Sequence, residues 1–405
     1  MIEKNAIIIS WPREIDFYSE FLNDNQNFDL IVNDFSSYEK GRNFSNEKII
    51  EILKDKNIKF ERLSKIFRKK KYKVLISTGE ISGFRLSAYS IARFFYGQTI
   101  GRLLDFFSVS SLIEKFTGRT FTADGKNSRL GLSWFPEKEI ANKVIKFPDG
   151  LDIKTKNYPY KVFDNVFDVY FSYSDLEIDL INKKYNEQKK CKKIDYFRYC
   201  NINKSEEKKN SFISKFNLDK NKKIIYWLPT HIDNYAEEDK NITEWFKKLS
   251  HLNKKFNLII KPHPKTISRN NKIIQRLKNY NFIIDLNFDQ KIGEILYHSD
   301  LIFSDYGGIV FDSLYFQKKI ILLNLQETCN YVKDLKANES LDLQIRRNLP
   351  NLDSNLDSSS IEKEIEDILE NKMLNQNNLA AIKEEYFGKT KPLSFKEVVS
   401  FIKGS

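Results

Sequence analysis

The sequence predicts an α/β fold of two consecutive doubly wound domains, and three observations lead there. Short β-branched apolar runs alternate with stretches of helical spacing, as parallel sheets with crossover helices require. That alternation restarts once, after the polar segment 203–223. The 405 residues suit two domains better than three at ~150 residues each. Hydrophobic residues make up 41%, enough for a chain of this length to bury substantial cores. Wholesale disorder is thereby excluded.

In the first half, Ala6–Ser10 is a buried-strand pattern ending at Trp11-Pro12, and Asp16–Asn23 carries Phe17, Phe21 and Leu22 at helical spacing. Phe28–Val32 and Tyr72–Ser77 are further strands, separated by helical patterns over Asn46–Lys54 and Phe60–Lys69. Val144–Phe147 and Val166–Ser172 complete the half. The charged segment 203–223, wrapped around one short amphipathic piece, marks the boundary, giving domains 1–205 and 206–405.

In the second half, strand patterns at Ile224–Leu228, Phe256–Lys261, Phe282–Leu286, Leu301–Ser304 and Lys319–Leu325 alternate with helical ones. Those helices cover Asn241–Asn253, Asn270–Asn279, Asp289–Ser299 and Val310–Phe316. A Ser/Asp-rich link, Asp353–Ser360, then leads into a helical tail at Ile361–Lys403. Two such halves face one another across a cleft in the expected architecture.

Sixty-seven Lys+Arg against 55 Asp+Glu leave a formal charge of +12, which favours phosphate-bearing or otherwise acidic partners. The cations are dispersed, the chain is rich in Lys, Asn, Ile and Phe throughout, and no nucleic-acid motif occurs, so nucleic acid is not expected as a partner. Cys191, Cys200 and Cys329 form no CxxC pair, which fits a reducing compartment. The N-terminal apolar run is too short for a signal-peptide core, and nothing approaches the ~20 apolar residues of a membrane span. A cytoplasmic location is expected. Phe84–Phe116 interleaves Arg85, Arg93 and Arg102 with Phe94, Phe95, Tyr96, Phe106 and Phe107. That pattern suits an aromatic core helix with snorkelling arginines, or a segment resting on the inner face of the membrane.

Chemistry concentrates in the second half. Three of the four histidines lie in or beside predicted strand-end loops: Leu228-Pro-Thr-His231, Lys261-Pro-His-Pro264 and His298-Ser-Asp300. Prolines on both sides of His263 fix the backbone and present His263 and Lys261 in a set geometry. An imidazole there can donate to a phosphate oxygen or protonate a leaving group. In Leu301–Leu314 a strand ends at Ser304, the run Asp305-Tyr306-Gly307-Gly308 turns, and a helix opens near Ile309. Such a helix start offers amide donors to a phosphate. It has neither the Walker GKS/T nor GxGxxG spacing. No DxD-like pair is placed for a metal, and no cofactor is expected.

Trp227-Leu-Pro-Thr-His231, Ile260-Lys-Pro-His-Pro264, Ser304-Asp-Tyr-Gly-Gly-Ile-Val-Phe-Asp312 and Lys318-Lys-Ile-Ile-Leu322 run collinearly over residues 220–325. Together they resemble the C-terminal half of the CDP-glycerol glycerophosphotransferases of teichoic-acid and capsule synthesis. The resemblance implies a GT-B fold of two Rossmann-like domains, with the nucleotide donor on the C-terminal domain and the acceptor on the N-terminal one. It implies that His263 meets donor phosphate, and that Thr230, His231, Lys261, Pro264, Ser304–Ile309 and Asp312 form the nucleotide site. The implied donor is a cytidine nucleotide, CDP-glycerol or a CMP-sugar such as CMP-Kdo or CMP-sialic acid. The implied acceptor is a glycan or lipid-linked hydroxyl. Two features depart from the family: its paired serines are Gly307-Gly308 here, and its APTxR arginine has no counterpart. The SDYGG stretch is also similar to the SGG loop of UDP-N-acetylglucosamine 2-epimerases, whose other motifs are missing.

The family's acceptor domain carries a His-Gly pair that supplies the base, yet no histidine precedes His231. Asp149, in Lys146-Phe-Pro-Asp-Gly150 beyond the strand Val144–Phe147, is the best substitute. With His263-Pro264 it resembles the Asp-Gly and His-Pro pair of bacterial sialyltransferases. Asp-Gly also makes ordinary turns. Glu80, after the strand Tyr72–Ile76, is the second candidate base, and Asp124-Gly125 a weaker third.

Overall fold

The computed structural model describes residues 4–12, 14–24, 27–34, 46–67, 71–79, 137–151, 166–185, 190–199, 202, 204–230, 236–263, 266–267, 272–287, 291–325 and 340–404. The aromatic-basic segment 84–116, Glu80 and Asp124-Gly125 lie outside them, as do His231 and Pro264.

Among the described residues the chain forms two parallel sheets flanked by helices. The first comprises β1 (Asn5–Ile9), β2 (Phe28–Val32), β3 (Glu61–Arg62), β4 (Tyr72–Ser77), β5 (Ala141–Lys146), β6 (Val169–Ser172) and β7 (Lys190–Lys193). Their order is β3-β2-β1-β4-β5-β6-β7. The second contains β8 (Ile224–Leu228), β9 (Asn257–Ile260), β10 (Ile283–Ile284), β11 (Leu301–Ser304), β12 (Ile320–Leu323) and β13 (Asn351–Leu352), ordered β10-β9-β8-β11-β12-β13. Strand order therefore reverses between β1 and β4 and again between β8 and β11, which are the switch points where such sheets bind ligands.

Continuous apolar runs form the central strands because both faces of each sheet are covered. Alternate residues point to opposite layers. Ala6 and Ile8 of β1 pack on one side with Leu75 and Val144, whereas Ile7 and Ile9 pack on the other with Val74 and Ile76. The second sheet divides likewise: Ile225, Trp227 and Phe303 face outward, Tyr226, Leu228 and Ile302 inward. The two inward faces belong to one continuous core. Phe21 marks the meeting point, with ring centroids of Phe28, Phe147, Phe197 and Phe395 at 5.2, 5.9, 6.1 and 4.9 Å.

Three details differ from the sequence-based expectation. Residues 60–69 are not one helix but the edge strand β3 followed by a single turn, Leu63–Ile66. Strands β7 and β13 were not foreseen, because Lys190-Cys-Lys-Lys193 and Asn351-Leu352 are polar sheet edges without an apolar run. His298 ends the helix Ile292–His298 and precedes β11, so it lies at the amino end of the sheet, away from the strand-end loops.

The closing helices return to the first half. Gln376–Phe387 and Phe395–Lys403 each begin with a capping box. Between them Leu393 pairs in parallel with Ile194, extending the first sheet beside β7. Ser174 donates to the Tyr386 carbonyl, Lys193 Nζ to the Gly388 carbonyl at 3.2 Å, and Thr390 N–H to Asp175 at 2.9 Å. Gly388 has φ +78°, and a Cβ there would run into the Asp175 carboxylate. Gly388→Ala is therefore expected to cost about 2–4 kcal/mol in urea denaturation. Gly150→Ala, with open space around it, should stay within ~1 kcal/mol. Equal effects would mean that the Gly388–Asp175 contact does not hold the tail.

Candidate active site

At the β8/β11 switch point the loops after β8 and β11 are tied together, and beside them those after β9 and β10 are tied to each other. Asp305, immediately after β11, accepts the Thr230 amide at 2.8 Å and its neighbour Tyr306 N–H at 2.7 Å. Ser304 Oγ donates to the Leu228 carbonyl at 3.1 Å, so the loops after β8 and β11 are joined twice. Burial pushes the Asp305 carboxyl up to about 6, although three amide donors and nearby Arg346 pull the other way. Arg346 lies 4.2 Å over the Tyr306 ring and donates to the Asp305 carbonyl and, at 3.1 Å, to that of Leu323. Gly307 takes φ 98°, which a side chain rarely adopts, and its N–H donates to Asp342 at 2.8 Å. The helix Gly308–Tyr315 then starts with the amides of Gly308 and Ile309, for which a helix supplies no internal acceptor.

Lys261 is placed differently from the sequence-based expectation of a phosphate ligand. It is buried, with Nζ 3.0 Å from Asp285 and donating to the Asn287 carbonyl. Tyr226 donates to the same carboxylate at 3.0 Å, and the Asn287 amide donates to its other oxygen at 2.9 Å. Lys261 thus ties the loop after β9 to that after β10. His263, two residues on, is half-buried and its carbonyl accepts from Thr266 N at 2.8 Å, opening a turn.

Asp312, expected in the nucleotide site, instead meets side chains at the boundary between the halves. It accepts the Tyr196 hydroxyl at 3.1 Å and sits 3.6 Å from the Arg198 guanidinium. Arg198 packs over the rings of Phe17 and Tyr199, at 4.6 and 4.7 Å, and reaches the Asp149 carbonyl at 3.4 Å. Burial alone would lower the Arg198 pKa. The Asp312 carboxylate and three tyrosine hydroxyls more than offset that and hold it above the usual arginine value.

On the first sheet, Asp149 is half-buried in the loop beyond β5, and Tyr173 donates to the adjoining Pro148 carbonyl at 3.1 Å. Two buried glutamates at this face were not singled out by the sequence. Glu14 accepts Ser10 N at 2.5 Å, Trp11 N at 3.0 Å and the Thr78 hydroxyl, fastening the exit of β1 to that of β4. Glu137 accepts Ser77 Oγ at 2.9 Å, and that hydroxyl in turn accepts Gly79 N–H at 2.9 Å. Its Oε2 makes no hydrogen bond among the described residues, and burial raises its carboxyl to about 7. The buried Tyr18 hydroxyl feels Glu14, Asp149 and Glu137 together, which add to burial in raising its pKa.

Asp149, His263 and the 304–309 loop therefore all lie at the carboxyl ends of strands. Arg198, Asp285, Asp342, Arg346, Glu14 and Glu137 are additions. Asp285 falls inside the expected strand Phe282–Leu286 and directly follows the observed strand β10. Arg198 had no sequence signal: Asp195-Tyr-Phe-Arg-Tyr199 is in the chain linking the sheets and matches no motif.

Glu137 gives a pH test. Its carboxyl is near 7 when folded against an ordinary 4.5, so its stabilising contribution is complete below pH 4.5 and is lost as pH rises through about 7. Glu137→Gln keeps a partner for Ser77 and removes ionisation. The variant should gain stability relative to wild type between pH 4.5 and about pH 8, on the order of 3 kcal/mol at most. A stability difference that stays flat over that range contradicts the buried-carboxyl assignment.

Among solved structures, a wall teichoic acid polymerase TagF variant with histidine changed to asparagine, soaked with CDPG, superposes with TM-score 0.56 at 13% identity. It covers 99% of this chain and 87% of that one. A histidine-to-alanine TagF variant gives TM-score 0.55 at 11% identity over the same shares. These likenesses establish the two-domain GT-B architecture. No curated protein matches the sequence. A sequence profile described as CDP-glycerol:poly(glycerophosphate) glycerophosphotransferase matches residues 150–398, spanning Asp149's neighbour Gly150, the KPH loop and the Gly307 turn. With more than half of its length matched, the chain is a transferase that belongs to the CDP-glycerol:poly(glycerophosphate) glycerophosphotransferase family.

Proposed function

We propose that this chain transfers glycerol phosphate, or a related alditol phosphate, from a CDP-linked donor to an acceptor hydroxyl and releases CMP. The supporting observation is the joining of the loops after β8 and β11 at the switch point of the second sheet, inside the segment matched by the family. In this reading the domain 206–405 takes the donor and the domain 1–205 the acceptor, a glycan or lipid-linked hydroxyl. The acceptor oxygen attacks the distal phosphorus. Its bond to phosphorus forms as the bridge to the CMP phosphate breaks, and CMP leaves with the electron pair. The acceptor proton passes to the Asp149 carboxylate, or to Glu80 if Asp149 does not serve. His263 and the amides of Gly308 and Ile309 meet the charge that develops on the departing phosphate.

The loop network explains why these groups suit the task. Lys261–Asp285, Thr230–Asp305 and Gly307–Asp342 are internal pairings, so the loop frame is in place before a ligand arrives. Donors held in advance need little reorganisation as the bond breaks. With Lys261 and Gly307 engaged inside the protein, contact with phosphate falls to His263 and to the first helical amides.

A thermal-shift series with CMP, CDP, UMP and UDP tests the donor side. CMP and CDP should raise the melting temperature by several degrees at about 100 times their dissociation constant. His263→Ala should shrink that rise, while Asp149→Asn should retain it yet lose at least about 100-fold in transfer from CDP-glycerol. Stabilisation by uridine nucleotides alone would overturn the cytidine assignment, and a fully active Asp149→Asn enzyme would move the base to Glu80.

A further inference from the structure

We propose that Arg198 is a positioning residue: it ties the helix that opens the donor cradle to the loop that carries Asp149. The inference rests on the transfer reading above for its catalytic consequence, but its geometry stands apart from that reading. One guanidinium nitrogen lies 3.6 Å from Asp312 and 3.4 Å from the Asp149 carbonyl. Asp312 is one helical turn from Gly308 and Ile309 in the same helix, Gly308–Tyr315. Asp149 belongs to the loop beyond β5 of the other sheet. A single side chain from the linker therefore bridges the two strand-end regions between which substrate groups would meet.

The bridge is stiff. The guanidinium packs over the rings of Phe17 and Tyr199, at 4.6 and 4.7 Å. Asp312 is itself fixed by Tyr196, whose ring lies 3.8 Å from Tyr173 and 4.5 Å from Tyr315. Tyr173, directly after β6, donates to the Pro148 carbonyl and Arg198, from the linker, to that of Asp149, so two consecutive carbonyls of the Asp149 loop are gripped. Neutralised by Asp312, Arg198 is set to orient rather than to bind donor phosphate.

Arginine is needed for this geometry. Its flat guanidinium packs against two rings while one of its nitrogens reaches both the carboxylate and the carbonyl, whereas the compact ammonium of lysine ends a shorter stem and has no planar face to stack. Lysine can keep the ion pair with Asp312 but releases the Asp149 carbonyl. The proton acceptor then drifts while the donor cradle stays intact. A displacement near 1 Å in a reacting group costs on the order of 100-fold in rate.

Arg198→Lys separates positioning from binding or folding. Amide exchange at residues 147–151 of the ligand-free protein should quicken about tenfold, with core strands unchanged, as one charged hydrogen bond is lost. Transfer from CDP-glycerol should lose about 100-fold in kcat, while donor KM stays within about threefold. Tyr173→Phe, which removes only the hydroxyl on the Pro148 carbonyl, should give the same pattern more weakly and serves if Arg198→Lys does not fold. Unchanged exchange at 147–151 in both variants overturns the proposal, whatever substrate the enzyme uses. So does a kcat within threefold of wild type, or a donor KM that rises as far as kcat falls. A wild-type enzyme inert toward CDP-glycerol would sink the donor assignment alone, leaving the exchange data to decide the bridge.

Discussion

Arg198 and Asp312 sit among tyrosine rings where neither charge can be left alone. Removing either partner of a buried ion pair strands the other and costs about 3–5 kcal/mol, so each fixes the other's position. Asp312 can only be met if the helix Gly308–Tyr315 faces the linker, and Arg198 only if Phe17 and Tyr199 close over it. The stack Tyr173–Tyr196–Tyr315 fills the remaining space, and Tyr315 donates to Asp195 at 3.0 Å. The relative placement of the two sheets follows from this boundary and from the core their inward faces share.

The sites on either side of that boundary are organised by the same economy of buried charge. On the second sheet, Lys261 satisfies Asp285, and Asp305 is met by backbone amides. On the first, Glu14 collects two amides and a hydroxyl. Burial raises the Asp305 carboxyl even so, to about 6, and Glu137 goes further. With one partnered oxygen and no cation against it among the hydrogen-bonded groups, burial wins and the carboxyl holds its proton toward neutral pH. Carboxylates that close loops and carboxyls whose pKa burial raises thus occupy the same strand ends, and Asp305, with its amide donors, is both.

Much of this was legible from the chain. Ile224–Leu228 and Leu301–Ser304 announced themselves as buried strands, and the glycines after Ser304 announced a turn into a helix; both arise from local rules of burial and backbone freedom. His263 between prolines and Asp149 beyond β5 were placed at strand ends for the same reason. What stayed hidden depends on distant partners. Lys261 reads as a ligand until Asp285 comes beside it, and Asp312 reads as part of the nucleotide loop until Arg198 meets it across the boundary. The edge strands Lys190–Lys193 and Asn351–Leu352 have no apolar signature, because they are defined by their neighbours rather than by their own composition.

A double-mutant cycle on Arg198→Met and Asp312→Asn measures the linkage between the halves most directly. Each single change should destabilise the protein by about 3–5 kcal/mol in urea unfolding. The double variant should fall short of their sum by at least about 2 kcal/mol, because the second change then removes a partner already lost. Costs that add to within about 0.5 kcal/mol would show that the two residues act independently, and the account of a single interface joining the two halves would fail.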